Sequence, residues 1–216
     1  MPKLVVIEGL DGAGKRTLAD KLMIELRVRN TSVTRLAFPR YGEDVHADLV
    51  RDAMYLRLGD LVKSVYGMAV LFALDRRAAA ERIRADLADN DVVLLDRYIA
   101  SNAAYGAARL REDAGGEFVR WVYALEVERF ALPVPDAHVL LRVPVDVAAE
   151  RSGGREAAER ARDSWETDIG LQTRCAAVYD QFARDGWLAP WHVVDGAAGV
   201  DCAKLTDVLL DSDGAD

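Results

Sequence analysis

The stretch from Glu8 to Thr17, EGLDGAGKRT, constrains this chain more than any other. The apolar run Leu4-Val5-Val6-Ile7 precedes it, and Leu18, Leu22 and Leu26 follow at the i, i+4 spacing of one helix face. Strand, glycine loop and helix in that order are the setting of a phosphate-binding loop. Gly9, Leu10, Asp11, Gly12, Ala13, Gly14, Lys15, Arg16 and Thr17 would form that loop. Its glycines let the backbone turn tightly enough to aim successive N–H groups inward at a phosphate. The helix N-terminus adds its positive dipole end, and Lys15 is placed to reach the β- and γ-phosphates of a nucleotide. The alternative is a glycine-rich turn that binds nothing, and the flanking strand and helix argue against it.

Two positions depart from the plain loop pattern. Arg16 stands where Ser or Thr usually follows the lysine, with Thr17 next, so the usual hydroxyl ligand for magnesium is displaced or missing. Asp11 lies inside the loop, where a carboxylate should repel phosphate. It is tolerable there if it faces a cation, a sugar hydroxyl or solvent.

The chain has 216 residues, which suits one α/β domain over residues 1–216 with a full hydrophobic core. A net charge of −8 argues against general binding to nucleic acid or an anionic membrane. Cys175 and Cys202 have no metal-ligand spacing. No charged-then-apolar leader precedes the first strand and no apolar run approaches membrane-spanning length, so a cytoplasmic location is expected.

Further along, Ser32 to Phe38 reads as a second strand that stops at Pro39. Helices are expected over 44–57 and, as one long buried element, over 60–88. Val92 to Asp96 is a continuous apolar run ending in an aspartate, the mark of a parallel strand covered on both faces. The segment 106–116 is polar and reads as a mobile loop, followed by a core-facing helix with Phe118, Trp121, Val122 and Leu125. A fourth strand covers 137–143 and a short helix 145–151. An arginine-rich segment, 151–162, breaks the regular pattern; a helix then covers 165–187, a fifth strand 192–194 and a last helix 205–210. Five parallel strands covered by helices on both faces place a site at the carboxyl ends of the strands.

Several side chains fall at that end. Phe72 and Arg76 are four apart and share a helix face. They could clasp a planar base, or form an internal cation–π pair. Asn102 and Tyr105 follow the third strand on one side of a turn; an amide suits a base edge, and capping with a buried tyrosine is the plainer role. Arg151, Arg155, Arg160 and Arg162, with Gly153 and Gly154, could form a lid over a transferred phosphoryl group, or a solvated helix in which Glu156 pairs with Arg160. Asp163 and Glu166 have capping-box spacing, and could instead hold a metal or a sugar hydroxyl.

Together these residues resemble the thymidylate kinases, P-loop enzymes that phosphorylate dTMP with ATP. The resemblance rests on EGLDGAGKRT at 8–17, FPRY at 38–41, LFALDR at 71–76, DRYIASNAAY at 96–105 and the arginine-rich segment. It implies that Phe72 stacks on thymine, that Arg76 bonds O4 and that Asn102 reads the adjoining edge. It further implies that Phe38, Pro39, Arg40, Tyr41 and Arg97 line the acceptor site, with Arg40, Tyr41 and Arg97 on the phosphate. Asp11 would meet the 3′-hydroxyl and Tyr105 would press on C2′ to exclude ribose. Lys15, Arg16 and Arg155 would hold the donor phosphates of ATP. Asp11 and Glu166 would position Mg²⁺, and Asp163 and Trp165 would lie beside the sugar. Trp165 stands where some relatives carry a tyrosine, and the lid looks short. The resemblance also implies a homodimer. Other P-loop kinases of nucleosides or monophosphates, and a nucleotide-dependent switch, are the competing readings. Arg40 and Arg97 favour a charged acceptor, and no N-K-x-D guanine-reading motif is present.

Overall fold

The computed structural model describes residues 1–159 and 168–211, with the backbone alone over 153–159. Five strands, β1 (Lys3–Glu8), β2 (Val33–Ala37), β3 (Val92–Asp96), β4 (Ala137–Arg142) and β5 (Trp191–Asp195), form one sheet in the order β2-β3-β1-β4-β5. Every pairing is parallel. Parallel neighbours require crossovers, and the intervening helices supply them. β1 lies at the centre and all six of its residues are buried. Its Leu4, Val5, Val6 and Ile7 each contribute about 1.5–3 kcal/mol by leaving water.

The helices are α1 (Lys15–Val28), α2 (Val45–Met54), α3 (Val65–Asp89), α4 (Ile99–Leu110), α5 (Glu117–Tyr123), α6 (Val145–Glu159), α7 (Ile169–Asp185) and α8 (Cys202–Asp211). Helix α1 buries Leu18, Leu22 and Leu26, the stripe expected from spacing. Asn30 follows it in the left-handed region, at φ 58°, as expected of a residue that tolerates a C-cap.

Three expectations need correction. The long helix over 60–88 is two pieces: a 3₁₀ turn at Leu61–Lys63, then α3, because Ser64 accepts a hydrogen bond from Gly67 N (3.0 Å) and caps a new helix. The segment expected to be a loop from Gly106 is helical as far as Leu110, since Gly106 lets Phe118 pack on α4. A Cβ at Gly106 would lie 1.9 Å from that ring. The arginine-rich segment continues α6 to Glu159 through both glycines, which raise the cost of a helix without forbidding it. Helix α7 is capped at its start by Asp168, which accepts from Leu171 N (2.9 Å); the expected start at 165 and the capping pair Asp163 and Glu166 lie outside the described residues.

Candidate active site

The loop between β1 and α1 has the conformation that its glycines permit. Gly12 and Gly14 lie at φ 78° and 98°, where a side chain is strained. Space forbids a side chain at Gly12 as well: a Cβ there would meet the Ala148 carbonyl oxygen at 2.1 Å, because α6 seats on the loop. Lys15 is buried and donates from Nζ to the carbonyls of Leu10 (2.7 Å) and Gly9 (3.1 Å). Burial, aided by the like charge of Arg97, pulls its pKa down to about 8 against the pull of Asp11, Asp96 and Glu8. Arg16 and Thr17 are exposed at the start of α1.

Asp11 is held from two sides. Arg97 Nη2 forms a close ion pair with one carboxylate oxygen, and the Tyr105 hydroxyl donates to the other at 2.7 Å. Burial pushes this carboxyl upward, but Arg97, Lys15 and the two hydrogen bonds outweigh it and hold it below its ordinary value. Arg97 follows β3 at φ 66° and also reaches Gly9 O (3.3 Å) and Ser101 Oγ (3.1 Å). Its guanidinium centre lies 5.4 Å from the Tyr105 ring. Beneath this group sits Glu8, fully buried. It accepts from Tyr98 N (2.9 Å), Ser101 Oγ (2.6 Å) and Tyr179 OH (2.9 Å), so it ties β1 to α4 and α7.

A cleft of about 240 Å³ opens from Asp11 and Arg97 between α3 and α4. Phe38, Pro39, Tyr41 and Phe72 supply apolar walls, and Arg76, Asn102 and Tyr105 the polar ones. At its inner end Arg76 is clamped by Glu126, Nε to Oε2 at 2.5 Å and Nη2 to Oε1 at 2.7 Å. Asn102 Nδ2 donates to the same Oε1 (2.8 Å) and to Ala69 O (3.1 Å). Arg40 is not among the residues lining the cleft but stands at its edge. It is held there by Asp75 through its backbone N (3.0 Å), Nε (2.8 Å) and Nη2 to the Asp75 carbonyl (2.8 Å). Asp44 adds a contact at 3.1 Å.

A second hollow, of about 590 Å³, lies across the loop, at the carboxyl ends of β4 and β5. Gly9 and Leu10 border it with Arg142, Val143, Tyr179 and Asp195. The loop therefore borders both hollows, Asp11 the first and Gly9 and Leu10 the second.

A sequence model described as thymidylate kinase matches residues 7–203. The chain belongs to the thymidylate kinase family. It is 50% identical over 97% of its length to a protein named thymidylate kinase from Mycobacterium tuberculosis (strain CDC 1551 / Oshkosh), of which 98% is covered. Proteins of the same name from Akkermansia muciniphila and Caenorhabditis elegans are 37% and 30% identical, over 91% and 93% of this chain and 85% and 86% of theirs.

Among the family residues expected from sequence, Asp11, Phe38, Pro39, Tyr41, Phe72, Arg76, Arg97, Asn102 and Tyr105 come together around one cleft. The side chain of Arg155 and all of Asp163, Trp165 and Glu166 lie outside the described residues. Glu8, Asp75, Ser101 and Glu126 were not singled out from sequence. Glu8, Asp75 and Ser101 sit inside the family motifs and could have been. Glu126 carries its own signal: it falls at i+8 from Phe118 and i+4 from Val122, on their buried face. A carboxylate on such a face calls for a buried cation.

Proposed function

We propose that this thymidylate kinase family member transfers the γ-phosphate of ATP to dTMP in the presence of Mg²⁺, giving dTDP and ADP. The observation that carries the reading is the cleft itself. Aromatic walls end in a fixed guanidinium and amide, fit for a pyrimidine edge, while Arg97 and the phosphate loop stand at the other end. In this reading Phe72 stacks on the base, Arg76 donates to O4 and Asn102 meets the adjoining edge. Arg40, Tyr41 and Arg97 hold the acceptor phosphate. Tyr105, fixed on Asp11, fills the space that a ribose 2′-hydroxyl would need. ATP lies across the loop, with Lys15, Arg16 and Arg155 on its phosphates.

Chemistry then needs little from any side chain beyond position and charge. The acceptor phosphate oxygen is already anionic at neutral pH, its second pKa being about 6, so no general base is required. Lys15 leaves the Leu10 carbonyl for the donor phosphates and meets charge as it develops on the transferred group. Arg97 keeps the attacking oxygen in line.

Magnesium would supply charge neutralisation on the donor phosphates, with Asp11 and Glu166 the residues that would help hold it. The donor set suits a hard cation. Asp11 is held ionised beside the loop, and Asp96 lies near enough to Lys15 to favour its charged form. Both Asp11 oxygens are engaged by Arg97 and Tyr105, which suits a water-mediated contact. Glu166 is the second candidate. The described residues contain no cluster of three or more His, Cys, Asp or Glu side chains built as a metal cage. That suits an ion carried largely by phosphates.

None of the helices among the described residues is long and apolar enough to cross a membrane. Free nucleotide substrates suit a cytoplasmic location. A homodimer fits the exposed apolar side chains of Leu56, Leu58 and Tyr66, beside the start of α3. A coupled ADP-release assay with ATP, Mg²⁺ and a panel of nucleoside monophosphates tests the activity. Turnover of dTMP supports it. ATP binding without turnover of any monophosphate moves the reading to a nucleotide switch.

A further inference from the structure

We propose that Glu126 sets the hydrogen-bond polarity of the base-reading end of the cleft by fixing which atom of the Asn102 amide faces the ligand. The inference rests on the pyrimidine-nucleotide reading above and adds a residue to it.

Asn102 Nδ2 has two neighbours, the Ala69 carbonyl at 3.1 Å and Glu126 Oε1 at 2.8 Å. Both accept, so only the NH₂ side of the amide can stand there. The amide oxygen is then the atom left for the cleft that Asn102 lines. The same carboxylate takes Nε and Nη2 of Arg76, which leaves Nη1 for the cleft. Glu126 thus presents a donor from Arg76 beside an acceptor from Asn102. Thymine offers the complement, an acceptor at O4 and a donor at N3–H. Cytosine offers the reverse at both atoms, a donor at N4 and an acceptor at N3.

Acceptor-only chemistry is what this position requires. One carboxylate satisfies three donors from two side chains, and Glu126 is fully buried. An amide in its place puts an NH₂ where one of the two oxygens stood. At the Oε2 position it meets Arg76 Nε, and two donors collide. At the Oε1 position it meets both Arg76 Nη2 and Asn102 Nδ2, so Arg76 is displaced and the Asn102 amide is pressed, against the hold of the Ala69 carbonyl, to turn its NH₂ toward the ligand, which suits cytosine and opposes thymine. The π-helical turn Ala124–Arg129 aims Glu126 inward past the end of α5, a local geometry common at functional sites.

Glu126 touches no ligand in this account; it is a positioning residue. The test measures kcat and KM for dTMP and dUMP, and kcat/KM for dCMP at raised enzyme concentration, in the parent, in Glu126→Gln and in Glu126→Asp. Thermal melting confirms that each is folded. For Glu126→Gln the expected result is a rise in KM for dTMP and dUMP of about ten-fold or more, with dCMP within about three-fold of the parent. The dTMP-to-dCMP ratio of kcat/KM then contracts by at least about ten-fold. Glu126→Asp keeps an acceptor-only group, so it should slow all three substrates and hold the ratio within about three-fold. Equal losses for all three substrates in Glu126→Gln, or no loss at all, would overturn the inference. Where Glu126→Gln does not fold, collapse of the ratio in Glu126→Asp overturns it instead, and a ratio that holds supports it. A parent that does not turn over dTMP refutes the activity itself, a result separate from any of these.

Discussion

The ammonium of Lys15 rests 2.7 Å from the carbonyl oxygen of Leu10, its own loop's backbone, in the place where a phosphate would draw it away. Burial first, and the charge of Arg97 next, bring its pKa down to about 8. A bound triphosphate favours the charged form and pulls that pKa back up. Above pH 8 the free enzyme has lost the proton and must regain it to bind. ATP affinity, measured by calorimetry, should therefore be about ten-fold weaker at pH 9 than at pH 7. Lys15→Arg keeps its charge across that range and should remove the dependence. Lys15→Ala should lower kcat by more than it raises the KM for dTMP. A flat pH profile in the parent would contradict the placement of Lys15.

Arg16 is exposed in the first turn of α1, where the loop pattern wants a hydroxyl. A cation there opposes the helix dipole unless an anion shares the space. Arg16→Ser restores the usual residue. It should nevertheless reduce kcat by on the order of ten-fold, since in the proposed function the guanidinium meets charge on the donor phosphates. Steady-state kinetics at saturating Mg²⁺ decide this. A variant as fast as the parent would leave Arg16 without a catalytic role.

Asp75 holds Arg40 at the cleft edge through Nε, at 2.8 Å, and through the Arg40 backbone N–H, at 3.0 Å. Asp75→Asn keeps the size and loses the charge. The KM for dTMP should rise about ten-fold, with kcat changed less, since a bound phosphate is gripped and not activated there. An unchanged KM would show that Arg40 is held for the fold and not for the acceptor.

His138 bears on stability. It is fully buried on β4, stacked 4.2 Å from Trp191, and neither ring nitrogen has a hydrogen-bond partner among the described residues. Burial lowers its pKa to about 3 from an ordinary 6.5. Below pH 6.5 the unfolded chain takes up a proton that the native chain refuses, so stability falls as the pH drops toward 3. The slope is about 1.4 kcal/mol per pH unit. Between pH 7.5 and pH 5 the unfolding free energy of His138→Phe should therefore gain about 2 kcal/mol on that of the parent. Denaturant melts at the two pH values measure the difference. Parallel losses would show that His138 is not neutral in the fold.

The central strands were legible because they are short apolar runs bounded by punctuation: Val92 to Asp96, for example, is buried at four of its five residues. The loop at Glu8 to Thr17 was legible because its chemistry is local. Contacts between distant segments were not. Arg76 and Glu126 are 50 residues apart, and Glu8 meets Tyr179 across 171. Spacing along one helix cannot announce such pairs. Gly106 misled for the opposite reason: glycines suggest a loop, but this one makes room for Phe118 against α4. The cleft also changes one choice of variant. Removing Arg76 would strand the buried Glu126 carboxylate, so a loss of activity in Arg76→Ala would mix base reading with damage to the fold.

The central claim is that this cleft reads a thymine edge, and it is tested most directly in the unaltered enzyme. The measurement is kcat/KM for dTMP, dUMP and dCMP with ATP and Mg²⁺. Uracil keeps O4 and N3–H and lacks one methyl, which costs about 1–3 kcal/mol, or roughly 10- to 200-fold. Cytosine opposes both Arg76 and Asn102 and should fall on the order of 10⁴-fold or more below dTMP. The predicted order is dTMP, then dUMP well below it, then dCMP near the limit of detection. An enzyme that takes dCMP as readily as dUMP would contradict the account, because Arg76 and Asn102 would then not be reading the base.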